Sequence, residues 1–202
     1  MPRLLAPTVL LALTVPLAAP AIAGEYNPTL SVGDAAPAWE KLPGVDGETL
    51  SLGDLKDAQA VVVAFTCNTC PYAVDYEDRL IAFAKKFEGR PVRLVAVNCN
   101  AGEKDLLAAM TARAKEKGFP FPYLKDESGA VGKAYGATRT PEFVVLDAER
   151  KVVYLGAMDD DPEGEDVRRR YVEEAVQAAL EGGVPAVTET PPVGCLVKYP
   201  RE

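Results

Sequence analysis

The sequence carries two cysteines, Cys67 and Cys70, that are separated by two residues. Only an ionised thiol is a nucleophile, and a free cysteine with a pKa near ~8.5 is mostly protonated at neutral pH. The unpaired N–H groups and partial positive charge at a helix start stabilise a thiolate. The pair follows an apolar, β-branched run at residues 60–65 and leads into a helical pattern over residues 70–87. We therefore predict that Cys67, at the helix start, is the attacking nucleophile and that the more buried Cys70 is the resolving thiol.

Other uses of a Cys-x-x-Cys pair need residues that this sequence lacks. A closed zinc site takes four ligands, and the chain has neither a second such pair nor any histidine. Covalent haem attachment needs a histidine directly after Cys70, where the sequence has Pro71. Pro71 fits the first turn of a helix, because the N–H that proline lacks has no partner there. Redox chemistry is the favoured interpretation. A structural disulfide and a metal site are the alternatives, and no metal or other cofactor is predicted.

The amino-acid composition excludes several classes of function. The 202 residues carry a formal net charge of -8, and no cluster of Lys and Arg marks a nucleic-acid surface. The absence of histidine excludes imidazole general-base catalysis and Ser-His-Asp triads. We expect one folded, acidic domain without a nucleic-acid partner.

Residues 1–23 have the layout of a secretory signal peptide. Arg3 supplies a positive charge, residues 4–19 are apolar without Asp or Glu, and Ala21 and Ala23 stand at the cleavage positions. The apolar stretch is short for a membrane span and contains two prolines. We predict cleavage after Ala23, export to the periplasm or the exterior, and no membrane insertion afterwards. Disulfides persist in such an oxidising compartment.

The rest of the chain alternates between strand and helix patterns. Apolar runs rich in β-branched residues predict strands, and spacings of three and four residues predict helices. After a strand–turn–strand opening at residues 32–52, the predicted order is strand 60–65, helix 70–87, strand 93–98, helix 103–117, a short helix 129–135, a hairpin of strands 142–146 and 151–155, and helix 167–180. This order predicts an α/β fold, a β-sheet flanked by helices on both faces.

Several stretches resemble the thioredoxin-like superfamily, and more narrowly its peroxiredoxin-like redoxin (AhpC/TSA-type) branch. They are FTCNTCPY at residues 65–72, KDESGAVGKAYGATRTPEFVVLDAERKVVYLG at residues 125–156, VGDAAPAWEKLPGVDGETLSLGDLKD at residues 32–57, and the tail PPVGCLVKYP at residues 191–200. The resemblance implies a thioredoxin-like fold with a central mixed sheet, nucleophilic Cys67 and its partner Cys70. The domain organisation that follows is a lead at residues 24–30, a redoxin domain at residues 31–182 and a proline-rich tail at residues 183–202.

Thr140 and Pro141 stand directly before the predicted strand 142–146. Cis peptide bonds in proteins occur almost only before proline, typically in tight turns. On the thioredoxin pattern this proline lies against the Cys-x-x-Cys turn, and the residue before it offers its backbone to a substrate strand. The resemblance therefore implies a cis Pro141 and a substrate-binding role for Thr140 and Pro141.

Accessory roles at the pair are predicted for three nearby residues. Thr66 directly precedes Cys67, and Tyr72 follows Pro71, so that Tyr72 either contacts substrate or packs in the core. Arg139 is close in sequence to the predicted cis proline and in a position to face the thiolate.

Cys99 and Cys195 leave three arrangements open. They form a structural disulfide with each other, or Cys195 is an extra resolving thiol for the pair, or both are free. We expect the tail that carries Cys195 to lie near the active face.

Three functions fit these residues. The favoured one is an exported thiol–disulfide oxidoreductase that acts on protein thiols or disulfides and exchanges electrons with a redox partner protein. The first alternative is an antioxidant thiol peroxidase that reduces a small hydroperoxide through a sulfenic acid on Cys67. The second alternative is a non-catalytic metal-handling or assembly protein, because soft thiolates suit Cu(I).

Overall fold

A five-stranded sheet forms the centre of the computed structural model, which describes residues 24–201. The strands lie in the spatial order β5 (Tyr123–Lys125), β4 (Val92–Asn98), β3 (Ala60–Phe65), β7 (Glu142–Leu146) and β8 (Val152–Gly156). β3 runs parallel to β4 and antiparallel to β7, so the sheet is mixed. All six residues of β3 are apolar and buried, which is typical of a strand that is covered on both faces.

Side chains of β3 divide between two apolar clusters, one on each face of the sheet. Val62 and Ala64 belong to one cluster, whereas Val61, Val63 and Phe65 belong to the other. This division follows from the two-residue repeat of a β-strand. Burying a valine side chain stabilises a fold by about 1.5–3 kcal/mol. The strand that leads to Cys67 is therefore firmly held from both sides.

Helices cover both faces of the sheet, as predicted, and the α/β fold is confirmed. The described residues contain α1 (Pro71–Asp75), α2 (Glu77–Lys86), α3 (Leu107–Lys117), α4 (Ala130–Ala134) and α5 (Tyr171–Leu180). The longer helices α2, α3 and α5 contribute buried side chains to the cluster that contains Val62. The opposite cluster is closed by α4 and by the 3-10 helix Leu52–Leu55.

The helix predicted over residues 70–87 is two helices, α1 and α2, joined at Tyr76. It also begins one residue later than predicted, at Pro71. Cys70 precedes a proline, and steric contact with the proline ring disfavours helical angles there. Cys70 accordingly has φ -82° and ψ 123°, which is extended backbone.

Two other helices begin later than their predicted first residues. The region predicted as helix 103–117 has a 3-10 helix, Glu103–Asp105, and then α3, because Leu106 between them is extended, with ψ 153°. Helix α5 begins at Tyr171 instead of residue 167. The backbone N–H groups of Arg168 and Arg169 donate to Asp160 Oδ1 at 3.0 and 2.9 Å, which holds these residues in a turn.

Two small sheets lie outside the central one. β1 (Leu42–Pro43) and β2 (Thr49–Leu50) form the predicted strand–turn–strand opening. β6 (Arg139–Thr140) and β9 (Cys195–Leu196) pair antiparallel and fix the tail beside the loop before β7. β5, β6 and β9 were not predicted, since two or three residues are too few to show an alternating pattern.

None of the described helices is long and apolar enough to cross a membrane. The predicted signal peptide at residues 1–23 lies outside the described residues, so export stays a prediction.

Candidate active site

The Cys-x-x-Cys turn connects the end of β3 to the start of α1. Thr66 is buried, and its N–H donates to the carbonyl of Val97 at 2.9 Å, which continues the pairing of β3 with β4. Pro71 occupies the first helical turn, as predicted, and Cys70 is the N-cap residue. Cys67 is therefore three residues before the N-cap and not at the helix start, which corrects the sequence prediction.

Polar groups still surround the Cys67 sulfur. The N–H of Cys70 donates to Cys67 Sγ at 3.3 Å, and the hydroxyl of Thr140 lies 3.3 Å from the same sulfur. A hydrogen bond donated to a thiolate stabilises the charged form. The turn therefore supplies to Cys67 the amide contact that we expected from a helix start.

The Thr140–Pro141 peptide bond is cis, which confirms the sequence prediction. Thr140 is buried and contacts both sulfurs of the pair. Its hydroxyl lies against Cys67 Sγ, and its carbonyl accepts a hydrogen bond from the Cys70 thiol at 3.0 Å. The loop before β7 thus completes the site around the cysteine turn.

Burial does not distinguish the two sulfurs, because Cys67 is 2% exposed and Cys70 is 3% exposed. The expectation that Cys70 would be the more buried of the two is wrong. Burial raises the pKa of the Cys70 thiol, but hydrogen bonds from the side chain of Cys195 and from the N–H groups of Ala73 and Cys195 outweigh it. The pKa of Cys70 therefore lies below its ordinary value, although we expected this thiol to be the less ionised one.

The Redoxin family model matches residues 31–172. The chain belongs to the redoxin family of the thioredoxin-like superfamily. Its fold is similar to that of a hypothetical protein from Sinorhizobium meliloti 1021, at 36% identity and a TM-score of 0.80, over 87% of this chain and 98% of that one. It is also similar to an uncharacterized conserved protein from Geobacillus kaustophilus, at 33% identity and a TM-score of 0.80, over 92% of this chain and 100% of that one.

The thiol:disulfide interchange protein of Chlorobium tepidum TLS shares the fold. Its identity is 22% and its TM-score 0.53, over 63% of this chain and 87% of that one. No curated protein matches the chain.

The middle residues of the redoxin's cysteine turn are held by a buried carboxylate, Asp105. Its oxygens accept hydrogen bonds from the N–H of Asn68 at 2.8 Å and from the hydroxyl of Thr69 at 2.9 Å. Asn98 at the end of β4 also donates to Asp105, at 3.0 Å. Tyr123 links the same residues, since its hydroxyl donates to Asn68 Oδ1 and accepts from Asn98. This network fixes the turn and hence the positions of both sulfurs.

Sequence reasoning missed Asp105. It is one of 30 acidic residues and lies 37 positions from Asn68, so no local pattern marks it. The one available signal was its place shortly after a buried strand that runs parallel to β3, since neighbouring parallel strands end at the same edge of a sheet.

The redoxin's tail lies over the cysteine pair, as expected. The N–H of Cys195 donates to Cys70 Sγ at 3.4 Å, and Cys195 packs against the cluster of Cys67, Cys70 and Ala73. Cys99 belongs to a different apolar cluster, where its thiol donates to Asp126 at 3.4 Å. All four cysteines lie in the described part of the chain, and all are free thiols.

Arg139 and Tyr72 were the other predicted accessory residues. None of the hydrogen bonds described above joins either of them to a sulfur of the pair. Arg139 donates from its guanidinium to the carbonyl of Gly194 at 3.1 Å, so it holds the tail. Tyr72 in α1 is 43% exposed and thus available at the surface. Within residues 24–201, no group of three or more His, Cys, Asp and Glu side chains is arranged to hold a metal ion.

Proposed function

We propose that this chain, a redoxin-family thiol oxidoreductase, works through Cys67 and Cys70 on protein disulfides. The observation that carries the proposal is the single contact network of the two sulfurs. The N–H of Cys70 donates to Cys67 Sγ at 3.3 Å, and one residue, Thr140, contacts both sulfurs. Two thiols held this way are placed to form a mixed disulfide with a substrate and then a disulfide with each other.

The reaction proceeds in two exchanges. The Cys67 thiolate attacks one sulfur of a substrate disulfide, which forms a Cys67–substrate bond and releases the other substrate sulfur as a thiolate. The Cys70 thiolate then attacks Cys67 Sγ, which forms the Cys67–Cys70 disulfide and releases the second substrate thiolate. The released thiolates take up the protons that the two cysteines lost, so the substrate is reduced by two electrons and the redoxin is oxidised. The reverse sequence oxidises a dithiol substrate.

The surroundings of each sulfur suit its role in this scheme. The N–H of Cys70 and the hydroxyl of Thr140 contact Cys67 Sγ, the attacking sulfur in this scheme. Resolution needs Cys70 as a thiolate, and hydrogen bonds from Cys195 and Ala73 lower the pKa of Cys70 despite its burial. The contacts of Cys70 therefore favour the second attack, which resolves the mixed disulfide.

Protein partners are supported by the surface next to the site. Among the described residues, exposed large apolar side chains include Tyr72 at 43%, Leu106 at 48% and Leu196 at 64%. Tyr72 is two residues after Cys70, Leu106 follows Asp105, and Leu196 follows Cys195. Contiguous exposed apolar patches are typical of surfaces that bind another protein, and these three side chains stand next to residues of the site in the sequence. The Chlorobium tepidum protein that shares the fold is named for thiol:disulfide interchange, which supports the same class of partner.

We place this activity outside the cytoplasm, because residues 1–23 have the charge, apolar stretch and small residues of a secretory signal peptide. Sequencing the N-terminus of the protein recovered from the periplasm or the medium tests this. A mature chain that begins at Gly24 supports export, whereas a full-length chain recovered with the cytoplasm contradicts it.

Reduction of insulin by dithiothreitol tests the redox proposal. We expect the wild type to accelerate it, and Cys67→Ser and Cys70→Ser to lose the acceleration. Cys99→Ser is the matched control, because Cys99 is an equally buried thiol in another cluster and serine keeps a donor for Asp126. A Cys67→Ser variant as fast as the wild type contradicts the proposal. Consumption of hydrogen peroxide without insulin reduction would favour the peroxidase alternative instead.

A further inference from the structure

The C-terminal tail occupies the edge that the resemblance assigns to a substrate strand. β9 pairs antiparallel with β6, with Cys195 opposite Thr140. The N–H of Val197 donates to the carbonyl of Thr138 at 3.0 Å, which extends this pairing by one residue. Backbone hydrogen bonds along one strand edge are how an extended peptide is bound. The tail therefore takes the place that a bound substrate strand would take.

Gly194 allows the tail to lie this close to Thr140. A Cβ on Gly194 would stand 2.0 Å from the carbonyl oxygen and 3.2 Å from the nitrogen of the Thr140–Pro141 peptide bond. Its φ of +150° is also one that other residues rarely adopt. A glycine directly before Cys195 thus permits the close approach that brings the Cys195 thiol to the pair.

Three thiols meet where the tail covers the cysteine turn. Cys195 packs against the cluster of Cys67, Cys70 and Ala73, and its N–H donates to Cys70 Sγ at 3.4 Å. Among the three, Cys70 is the one with a direct contact to each of the other two. This arrangement puts Cys70 in the middle of a chain of three sulfur-bearing residues.

We propose that Cys195 is a third redox-active thiol, which exchanges with the Cys67–Cys70 disulfide to form a Cys70–Cys195 disulfide. The inference rests on the proposed function, because that reaction supplies the Cys67–Cys70 bond. The Cys195 thiolate attacks Cys70 Sγ, the Cys70–Cys195 bond forms, and the Cys67–Cys70 bond breaks. Cys67 leaves as a thiolate and takes up the proton that Cys195 lost. The number of disulfides is unchanged, so the step needs no further oxidant.

The contacts of the site favour this exchange. The leaving sulfur, Cys67 Sγ, lies within 3.3 Å of the N–H of Cys70 and of the hydroxyl of Thr140, which stabilise a departing thiolate. In the reduced protein, a hydrogen bond to Cys70 together with burial raises the pKa of Cys195 to about 11. Once Cys70 is in a disulfide, it is no longer a thiolate, and the hydrogen bond to Cys70 that raised the pKa of Cys195 is lost. Cys195 thus becomes a better nucleophile when its target exists.

The exchange has a consequence for access to the site. A Cys70–Cys195 bond fastens the tail to the turn and keeps the edge of Thr140 covered. Reduction of this bond leaves only hydrogen bonds and packing to hold the tail, among them those from Arg139 and Val197. The Cys70–Cys195 disulfide would thus keep the oxidised protein closed to a substrate strand while Cys67 is again a free thiol.

Disulfide mapping of the full chain tests the proposal. The reduced protein is treated with oxidised glutathione, quenched in acid, blocked with N-ethylmaleimide and digested without reduction, and the linked peptides are quantified by mass spectrometry. We expect both Cys67–Cys70 and Cys70–Cys195 peptides in the wild type. Cys67→Ser isolates the third thiol. There, Cys70 first joins glutathione, and Cys195 then displaces it to give Cys70–Cys195. Cys99→Ser is the matched control and should keep both linkages.

Two outcomes of the disulfide mapping overturn the inference. One is a Cys67→Ser protein that stays glutathionylated on Cys70, and the other is a wild type that contains only Cys67–Cys70. In either case the proposed function stands, provided that insulin is still reduced. Gly194→Ala gives a second measurement on a chain with all three thiols. Displacing the tail should lower the Cys70–Cys195 fraction about tenfold while Cys67–Cys70 persists. An unchanged Cys70–Cys195 fraction in Gly194→Ala also overturns the inference. The proposed function is overturned by a different result, a wild type that forms no Cys67–Cys70 disulfide and does not accelerate the reduction of insulin.

Discussion

Gly194 lies directly against Thr140, so that a Cβ added to Gly194 would stand 2.0 Å from the Thr140 carbonyl oxygen. The same oxygen accepts the hydrogen bond of the Cys70 thiol at 3.0 Å. The tail therefore approaches the body of the protein closely at the residue that contacts both sulfurs. The tail and the cysteine pair therefore both contact the Thr140 carbonyl.

Gly194→Ala should open the tail. The added methyl group overlaps the Thr140 carbonyl, and alanine at a φ of +150° is strained by about 1–3 kcal/mol. Because Cys67 and Cys70 are nearly inaccessible in the closed form, their labelling by N-ethylmaleimide is limited by opening. We expect labelling of the reduced protein to be about tenfold faster or more in the variant.

Leu196→Ala is the control for this experiment. Leu196 lies two residues after Gly194, in β9, but it is 64% exposed, so truncation removes little packing. Its labelling rate should match that of the wild type. If Gly194→Ala keeps the wild-type circular dichroism and the wild-type labelling rate, the tail does not limit access to the pair.

Asp105 is expected to act by positioning the cysteine turn. In Asp105→Ala, the N–H of Asn68 and the buried amide of Asn98 lose an acceptor, which should lower the free energy of unfolding by about 1–3 kcal/mol. Small displacements of reacting groups are costly, so the rate of insulin reduction should fall about tenfold or more. Urea unfolding and the insulin assay measure the two effects.

The Asp105→Asn variant separates positioning from charge. An asparagine oxygen still accepts from Asn68 and Asn98. Its amide can donate to the hydroxyl of Thr69, which in the wild type donates to Asp105. We expect Asp105→Asn to keep most of the activity that Asp105→Ala loses. Exposed Glu103 is in the same 3-10 helix, and Glu103→Ala should be neutral. Equal losses in the Asn and Ala variants would show that the negative charge is what matters.

The local parts of the site were predictable from the sequence. The buried strand, the cysteine pair and Pro71 are contiguous, and the Thr140–Pro141 dipeptide directly precedes a second buried strand. Their patterns depend on a few adjacent residues, and the structure confirms the strands and the cis bond. The later helix start was also accessible, because the residue before a proline avoids helical angles.

The contacts between distant segments could not be predicted in the same way. Asp105 meets the turn from 37 residues away, and Cys195 meets Cys70 from 125 residues away. The strand that carries Cys195 has two residues, so no periodic pattern indicates its register. The acidity of Cys70 depends on the tail, and for that reason its lowered pKa was missed.

The lowered pKa of Cys70 should depend on the Cys195 side chain. In a Cys67→Ser, Cys99→Ser protein, Cys70 and Cys195 are the only thiols, and the rise in thiolate absorbance with pH reports their ionisation. We expect the first ionisation below the pKa of free cysteine. Adding Cys195→Ala removes one hydrogen bond to Cys70 Sγ while burial remains, so the pKa of Cys70 should rise. An unchanged first ionisation after Cys195→Ala would contradict this assignment.

Glu142 should make the loop that carries Thr140 sensitive to pH. Its buried carboxylate accepts from the N–H groups of Thr138 and Arg139 at 2.8 and 3.0 Å, and burial raises its pKa in spite of these bonds. A raised pKa means that the fold favours the protonated form. The stability that Glu142 contributes is therefore greatest below its ordinary pKa and is lost as the pH rises through the folded pKa.

Urea unfolding of the wild type and of Glu142→Gln at about pH 4 and about pH 7 tests this sign. Glutamine keeps an oxygen acceptor for the loop but has no charge to bury. We expect the free energy of unfolding of the wild type to fall relative to that of Glu142→Gln as the pH rises. Glu149→Gln is the control, because Glu149 is exposed in the turn between β7 and β8. A difference between wild type and Glu142→Gln that is the same at both pH values would mean that the Glu142 carboxyl ionises alike in the folded and unfolded chains.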